Sequence, residues 1–327
     1  MSKYRQFISK LWKNEIGIPR KEKANHLRSQ VVKSEAMPSN SVGVTPAQLN
    51  YALEHTRHLW EAIDRAYDQI LPNLTVTCIV CDYSDRRDGF EIHVDQCIFG
   101  GGKLERYGCP SCGCIFGPQK YLDLPEAAVE VDYRFLYSYY SEADPSANEI
   151  RTFHSLQPKQ HELFLDWGCG GTWSKTVATL RDDGWDVWGF EPSAPVSQNF
   201  VVSSRAEISA KFNGIFSNNV IEHFRRPVEV FREFNKLLID GGKMAHSSPC
   251  FERSYTYTRF HTLFLTGRSP LVLAEKTGFQ LVDILKDGDY ISVLFSKEPG
   301  AVDIAATSSD RNASTILHNH GESGSPA

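Results

Sequence analysis

The chain has 327 residues, of which 41% are hydrophobic and 23% charged, and a formal net charge of −5. This composition is typical of a folded globular protein, and the length accommodates one large domain beside a small module. A net charge this mild excludes a protein that attracts polyanions over its whole surface.

The lack of a recognisable targeting signal predicts a reducing compartment, which bears on the role of the cysteines. No apolar run reaches the roughly 18 residues of a transmembrane helix, and the N-terminus lacks the apolar segment of a signal peptide. We therefore expect a cytoplasmic protein with no membrane span. In that setting the eight cysteines are expected to bind metal or take part in chemistry rather than form disulfides.

The first two segments are a basic arm and a helix. Residues 1–44 carry nine Lys or Arg against three Glu, which predicts a flexible arm or, alternatively, a docking segment for acidic partners. Residues 45–71 are predicted to form one amphipathic helix, capped by Thr45 and with Pro46 in its first turn. Its apolar residues recur at helical spacing and predict a packing surface: Leu49, Leu53, Trp60, Ile63, Tyr67 and Ile70.

Residues 72–120 form a cysteine-rich module with too few large apolar residues to fold by burial alone. The module contains Cys78-Ile-Val-Cys81 and, after 27 further residues, Cys109-Pro-Ser-Cys112. Two such C-x-x-C turns supply four thiolates for a tetrahedral zinc ion, so we expect a small zinc ribbon whose closed site is structural. The competing ligands are Cys114, which is the alternative to Cys112, and Cys97 and His93.

The rest of the chain divides into a connector, a large alternating region and a tail. Residues 121–160 are rich in Tyr and connect the module to the next domain. From residue 161 to 296, strand-like and helix-like segments alternate, which predicts a doubly wound α/β fold. Residues 297–327 are small and polar, and we expect them to be disordered.

A glycine loop near the middle of the chain predicts a nucleoside site. The strand "HELFLDWG" ends at Asp166, a loop with three Gly follows, and a helix then leads to a second strand that ends at Glu191. Such a unit binds ligands at the carboxyl ends of its strands, where bare glycine backbone allows close approach. A carboxylate at the end of the second strand accepts hydrogen bonds from both ribose hydroxyls.

The loop argues against a dinucleotide cofactor and resembles another family. Trp173 stands where the third Gly of a dinucleotide fingerprint would allow close helix packing. The sequence from Asp166 to Gly171 resembles the D-x-G-C-G-x-G motif of class I S-adenosylmethionine-dependent methyltransferases, with Thr172 in place of the last Gly. The resemblance implies S-adenosylmethionine as the cofactor, bound by Asp166, Gly168, Cys169, Gly170 and Glu191.

This resemblance covers residues 161–296. "FNGIFSNNVIEHF" (212–224) is similar to the family's fourth strand, and Gly241-Gly242, Gly278 and the Asp287-Gly288 hairpin fall where the family has a turn, a helix end and its last hairpin. The family fold is a Rossmann-like, mostly parallel sheet that ends in an antiparallel strand. The resemblance also implies that Asn218 and Asn219 contact the methionine portion of the donor.

The adenine end of the predicted pocket departs from the family pattern. The family often has an acidic residue after its third strand, whereas "FVVSSRAEI" places Ser203 or Ser204 there, with Glu207 further on. The helix predicted just before it, in "PSAPVSQN", is short.

Similarity to zinc-containing sugar methyltransferases implies the catalytic groups. Those enzymes have an acidic–His pair after the fourth strand, and Glu222-His223 holds this position here. The implied role of His223 is to accept a proton from the acceptor, which suits an imidazole near neutral pH. His261 and Tyr257 are substrate-side alternatives, and His246, within a strand, is expected to be packed. A purely structural role of Glu222-His223 at a helix start is the other interpretation.

We therefore predict methyl transfer to a small-molecule or glycan acceptor. The resemblance to zinc-containing sugar methyltransferases implies a sugar acceptor, and a hydroxyl is favoured because the related C-methyltransferases carry a further C-terminal domain that this sequence lacks. The tyrosines of residues 121–160 are expected either to stack on sugar rings or to pack in a core. Two alternatives are a nucleic-acid-binding module built from the arm and the ribbon, and a non-catalytic scaffold with a relic pocket. The segment "DRRDGFEIHVDQ" is charge-balanced and lacks an aromatic-basic stripe, which argues against nucleic acid.

Overall fold

The computed structural model describes residues 45–140 and 143–299. The basic arm predicted at residues 1–44 lies outside the described residues, and so does the predicted tail beyond residue 299. Within the described ranges, no helix combines the length and the apolar character that crossing a lipid bilayer requires.

The N-terminal helix α1 spans Pro46–Ile70 and begins at the expected cap. The Thr45 hydroxyl accepts a hydrogen bond from the Gln48 backbone N–H, and the Gln48 side chain accepts one from the Thr45 backbone N–H. Trp60 is buried on the inner face of the helix, where its ring contacts the Tyr121 ring and the Lys120 ammonium. The helix is therefore packed against the rest of the protein through its predicted apolar face.

The cysteine-rich module holds two small antiparallel sheets. Strand β1 (Thr75–Thr77) pairs with β2 (Ser84–Arg86), while β4 (Lys103–Gly108) pairs with β3 (Glu91–Gln96) and with β5 (Ile115–Phe116). A further strand, β11 (Leu263–Phe264), comes from far along the chain and pairs with β5. Backbone hydrogen bonds therefore join the module directly to the large domain.

The Tyr-rich connector is mostly helical. It forms α2 (Gln119–Leu122), α3 (Glu126–Tyr137) and α4 (Ser146–Ser155). On α4, Thr152 and Phe153 are fully buried, and Phe153 packs edge-to-face on Phe164 and Phe216. The connector is thus an integral layer of the fold.

A seven-stranded sheet forms the centre of the large domain. Its strands are β6 (Leu163–Trp167), β7 (Asp186–Phe190), β8 (Val201–Val202), β9 (Phe212–Asn218), β10 (Leu238–Ser247), β12 (Phe279–Asp287) and β13 (Tyr290–Lys297). The strand order is β12-β13-β10-β9-β6-β7-β8. Pairing is parallel from β8 to β10, and β13 is antiparallel to both of its neighbours. The mostly parallel sheet with an antiparallel end is confirmed.

Helices cover both faces of this sheet. The remaining helices are α5 (Lys175–Asp182), α6 (Pro227–Leu237) and α7 (Ser269–Thr277). Phe164 packs in an apolar cluster with residues of α4 and α5, whereas the next residue, Leu165, packs in a second cluster with residues of α6 and α7. Because side chains alternate across a strand, this division shows a sheet enclosed between two helical layers.

Two local predictions differ from the structure. Strand β10 begins directly after α6, and Gly241-Gly242 form an irregularity inside it rather than a separate turn before it. The predicted helix in "PSAPVSQN" is wrong, since residues 192–200 form turns. Pro192 and Pro195 explain this difference, because each removes a backbone donor and disfavours a helical conformation in the residue before it.

Candidate functional site

The predicted site residues meet where the order of the parallel strands reverses. Strand β7 lies on one side of β6 and β9 lies on the other, so the loops after β6 and β9 diverge and leave a crevice at the carboxyl edge. The two loops touch at its base, where a Cβ added to Gly168 would lie 2.7 Å from Val220 Cγ2. A side chain at position 168 would therefore push the loops apart.

The glycine loop makes a tight turn after β6 and leaves free space beside Gly170. Gly168 and Gly170 have φ values of +80° and +77°, which favour glycine. The backbone N–H groups of Gly168 and Cys169 both donate to the Phe190 carbonyl, at 2.8 and 3.3 Å. Among the described residues beyond its chain neighbours, no atom lies within 4 Å of a Cβ built on Gly170, so the loop leaves space for a ligand at this point.

Three carboxyl groups cluster around this loop. Asp166 at the end of β6 is 1% exposed, and burial, together with the nearby carboxylates of Glu149 and Glu191, raises its pKa well above the ordinary value. Glu191 directly follows β7 and accepts a hydrogen bond from the Gly170 backbone N–H at 3.1 Å. The cluster favours a ligand that brings positive charge to Asp166 and hydrogen-bond donors to Glu191.

Asn218 and Asn219 begin the loop on the other side of the crevice. Asn218 Oδ1 accepts a hydrogen bond from the Ser247 hydroxyl at 2.8 Å, and the Ser247 hydroxyl is 2.6 Å from that of Thr152. The buried Asn218 Nδ2 and Asp166 Oδ2 have no hydrogen-bond partner among the described residues. Buried polar atoms of this kind are costly unless a ligand supplies the missing partner, so they make the crevice a candidate binding site.

Glu222 and His223 lie in a short 3₁₀ turn, Ile221–His223, immediately beyond these asparagines. His223 Nδ1 is 3.0 Å from the Phe260 carbonyl, which can only accept, so Nδ1 carries the proton and Nε2 carries the lone pair. Burial lowers the pKa of His223 to about 4. The ring is therefore a neutral hydrogen-bond acceptor at physiological pH.

His261 joins this pair from the loop before β11. Ligand-capable atoms of Glu222, His223 and His261 all lie within 4.8 Å of one another, and the two imidazole centroids are 5.1 Å apart. Burial and the neighbouring His223 lower the pKa of His261 well below its ordinary value. Two other residues considered from the sequence make different contacts. The Tyr257 ring packs against Tyr255, and His246 is fully buried in β10, where it stacks on Phe234.

An aromatic wall that sequence reasoning did not assign to the site comes from α3. Tyr133 makes edge-to-face contacts with the His223 ring, at 5.7 Å between centroids, and with the Phe260 ring at 5.4 Å. The Tyr133 and Tyr137 hydroxyls are 3.2 Å apart, and Tyr137 is 40% exposed. The sequence signal was the density of Tyr in the connector, but only the fold brings these rings to His223.

The cysteine-rich module supports the His261 loop through a buried arginine that the sequence did not single out. Arg106 on β4 is fully buried, and its guanidinium donates to the backbone carbonyls of Thr256, Thr258 and His261, at distances from 2.7 to 3.2 Å. Burial lowers the pKa of Arg106 to about 10. A charged residue of the module therefore determines the shape of the loop that carries His261.

The end of the crevice where the sequence predicts the adenine contains short polar side chains that hydrogen-bond to one another. The Ser197 hydroxyl accepts from the Ser203 backbone N–H at 2.8 Å and donates to the Glu207 carboxylate at the same distance. The Ser204 hydroxyl caps the turn Arg205–Glu207. In this arrangement Ser203, Ser204 and Glu207 stabilise the loop after β8.

The four cysteines of the two C-x-x-C turns come together in the module. The Sγ atoms of Cys78 and Cys112 are 3.7 Å apart and those of Cys81 and Cys109 are 3.5 Å apart, and all four lie within 4.8 Å of one another. These separations are far too long for disulfide bonds and match the spacing of about 3.8 Å expected for thiolates on one tetrahedral zinc ion. Cys97 and Cys114 are buried outside this set of four.

The large domain is similar to a known protein family. Residues 139–284, a little under half of the chain, match the family model described as a methyltransferase domain. These residues include α4, the glycine loop, the 3₁₀ turn with Glu222 and His223, and most of β12. No match is found among curated protein sequences.

Solved structures similar to this chain include three methyltransferases. One is an S-adenosylmethionine-dependent methyltransferase from Mesorhizobium loti, with 13% identity over 46% of this chain and 98% of that one and a TM-score of 0.34. A ribosomal protein L11 methylase from Lactobacillus delbrueckii subsp. bulgaricus has 13% identity over 46% and 77%, with a TM-score of 0.33. An S-adenosylmethionine-dependent methyltransferase from Methanosarcina mazei has 10% identity over 45% and 97%, also with a TM-score of 0.33.

Proposed function

We propose that this S-adenosylmethionine-dependent methyltransferase transfers the methyl group to a hydroxyl of a sugar, either free or in a glycan. The observation that carries this proposal is the contact between His223 and Tyr133 at the crevice. It combines a neutral imidazole, which accepts the proton of a hydroxyl, with the flat aromatic surface that sugar rings prefer. The turn that carries His223 follows β9, and Val220 just before this turn contacts Gly168 of the glycine loop proposed to hold the donor.

The donor fits the residues of the crevice. Glu191 would accept hydrogen bonds from the ribose hydroxyls, and the open backbone at Gly170 allows the nucleoside to approach. Asp166 and Asn218, whose buried polar atoms have no partner among the described residues, would take the charged amino-acid portion. When bound, S-adenosylmethionine supplies a methyl group on a positively charged sulfur that is open to in-line displacement.

His223 is proposed to remove the proton from the attacking hydroxyl. Its Nδ1–H is fixed by the Phe260 carbonyl, so Nε2 is the only ring atom that can accept a proton. Glu222, which is 1% exposed and next in sequence, is proposed to stabilise the positive imidazolium that forms. Orientation of the hydroxyl and removal of its proton are the tasks left to the protein in a displacement of this kind.

Tyr133 and Tyr137 are proposed to bind the sugar ring. Tyr137 is exposed and hydrogen-bonded to Tyr133, so the pair offers both ring faces and hydroxyl groups next to His223. Stacking on such rings positions a sugar without requiring a charge on it. This arrangement favours a neutral ring hydroxyl as the methylated group.

The cysteine-rich module is proposed to be a zinc ribbon that supports the acceptor side. Its four thiolates have the spacing of a tetrahedral zinc site and leave no open position, so the ion would be structural. Through Arg106 and the pairing of β5 with β11, the ribbon would hold the loop of His261 in place.

Methyl transfer with isotopically labelled donor tests the proposal. The purified protein would be incubated with labelled S-adenosylmethionine and a panel of nucleotide sugars, glycans, tRNA and a protein mixture. We expect label in a sugar as an O-methyl ether, identified by mass spectrometry and NMR. Label found only in RNA or protein would overturn the sugar assignment. Absence of donor binding in calorimetry would instead favour a non-catalytic scaffold.

A further inference from the structure

We propose that Glu222, His223 and His261 together bind one divalent transition-metal ion, at a second metal site separate from the four cysteines. Two imidazoles and one carboxylate form an established donor set for zinc that keeps a coordination position open. Within the described residues, this group and the four cysteines are the clusters whose ligand atoms come this close together.

The orientation of both imidazoles supports this site. His223 Nδ1 lies 3.0 Å from the Phe260 carbonyl, and His261 Nδ1 lies 3.0 Å from the Tyr255 carbonyl. A backbone carbonyl on one ring nitrogen fixes the tautomer and leaves the lone pair on the other, which is the usual arrangement of metal-binding histidines. Each ring therefore presents Nε2 as a ligand atom.

The separation of the rings also fits a shared ion. With zinc–nitrogen bonds of about 2.0–2.1 Å in a tetrahedral arrangement, two imidazole centroids lie about 5 Å apart. The observed separation between His223 and His261 is 5.1 Å. The distance between the rings therefore matches that of two imidazoles bound to one ion.

Backbone hydrogen bonds hold the two segments that carry these side chains together. The Thr262 N–H donates to the Glu222 carbonyl at 2.8 Å, and the ring of His223 bonds to the Phe260 carbonyl. His261 lies between these two anchored residues, and Arg106 donates to its carbonyl. A site preorganised in this way loses little conformational entropy when it binds an ion.

Imidazole ligands select the class of metal. Nitrogen donors suit zinc, cobalt, nickel and iron, whereas magnesium and calcium prefer oxygen ligands. Since a metal bound to His223 Nε2 would occupy the lone pair proposed to accept the substrate proton, we expect the ion to inhibit methyl transfer reversibly. This inhibitory consequence rests on the proposed function, whereas binding of the ion does not.

A cobalt titration of the full-length protein tests the site. The protein is purified without chelator, so that any metal bound by the four cysteines is retained. We expect the wild type to bind an additional equivalent of Co²⁺ whose visible spectrum lacks the thiolate-to-cobalt charge-transfer band. His261→Asn and Glu222→Gln should lose this equivalent, while His154→Ala, which removes an exposed histidine on α4, should keep it. Thermal melts followed by circular dichroism identify a variant that fails to fold. If one of His261→Asn and Glu222→Gln does so, the other is used to test the site.

The outcomes separate the two proposals. Absence of the additional equivalent in the wild type, or its retention in both folded variants, would overturn the metal site. Binding accompanied by inhibition that a chelator reverses would support both the site and the role of His223. Binding without inhibition would leave the metal site in place and overturn the assignment of His223 as proton acceptor.

Discussion

The backbone N–H of Gly170 donates a hydrogen bond to the Glu191 carboxylate at 3.1 Å, which links the glycine loop after β6 to the end of β7. The same carboxylate accepts from the backbone N–H and the hydroxyl of Ser193, at 3.0 and 2.6 Å. These hydrogen bonds fix the position of the Glu191 carboxylate. Because the carboxylate is held in place, substitution of Glu191 is a direct test of donor binding.

Replacing Glu191 by Ala should weaken binding of S-adenosylmethionine by at least roughly 10- to 100-fold, because hydrogen bonds to a charged group contribute about 1.5–3 kcal/mol each. Isothermal titration calorimetry measures the change. Glu275→Ala, which removes an exposed carboxylate on α7, is the matched control and should bind normally. Unchanged affinity in Glu191→Ala would mean that the ribose binds elsewhere.

Donor affinity should rise with pH because of Asp166. Burial and the nearby carboxylates of Glu149 and Glu191 raise the pKa of Asp166 in the free protein, and a cationic donor favours its ionised form. Binding should therefore release a proton, and affinity should increase as pH rises toward the raised pKa. Calorimetry in buffers of different ionisation enthalpy detects this proton.

Asp166→Asn supplies the control for this linkage. It should abolish the proton release and weaken donor binding. A group with a raised pKa stabilises the fold only while it is protonated, so the wild type loses this stability as pH rises and the variant should melt at a higher temperature at pH 8. Proton release equal to that of the wild type would assign the titration to another group.

His223→Asn should slow methyl transfer by about 10²- to 10⁴-fold, the usual contribution of a general base, with donor affinity unchanged. Since burial lowers the pKa of His223 to about 4, turnover per folded molecule in the wild type should stay level from pH 8 to pH 6 and fall only as the pH approaches 4. Steady-state kinetics and calorimetry give the two quantities. Normal turnover in the variant would pass the role to His261 or Tyr257.

Cys78→Ser should lose the zinc proposed for the cysteine-rich module and lower the melting temperature, since the ion would join the two C-x-x-C turns. Inductively coupled plasma mass spectrometry of purified protein measures the metal. Cys97→Ser is the matched control, because Cys97 is buried but lies outside the cluster of four. A Cys78→Ser protein that keeps this zinc and melts normally would contradict the site.

Arg106→Lys should destabilise the fold by at least about 2 kcal/mol, because buried carbonyls that lose a donor cost about 1–3 kcal/mol each. The lost donors act on the loop of Thr256 to His261, so the KM for the acceptor should also rise while donor affinity holds. Chemical denaturation and kinetics measure these effects. Arg86→Lys, at an exposed position, should change neither quantity.

Much of the large domain could be predicted from the sequence because its signals are local. The strand ending at Asp166, the glycine loop and the strand ending at Glu191 are adjacent in sequence, and parallel strands place their carboxyl ends on one edge. The cap at Thr45 and the left-handed Gly278 after α7 also follow from nearby residues. The predicted helix in residues 192–200 failed because the two prolines outweigh the residues between them.

Sequence alone determined most elements of the large domain, the order of the chemical groups along them and the pairing of cysteines within each C-x-x-C turn, since these depend on residues only a few positions apart. The tertiary structure decided that Tyr133 contacts His223, that His261 completes a cluster with Glu222, and that Arg106 of the module supports the His261 loop. These contacts join residues far apart in the chain. Each depends on how the helical connector and the module pack against the sheet, which no local pattern specifies.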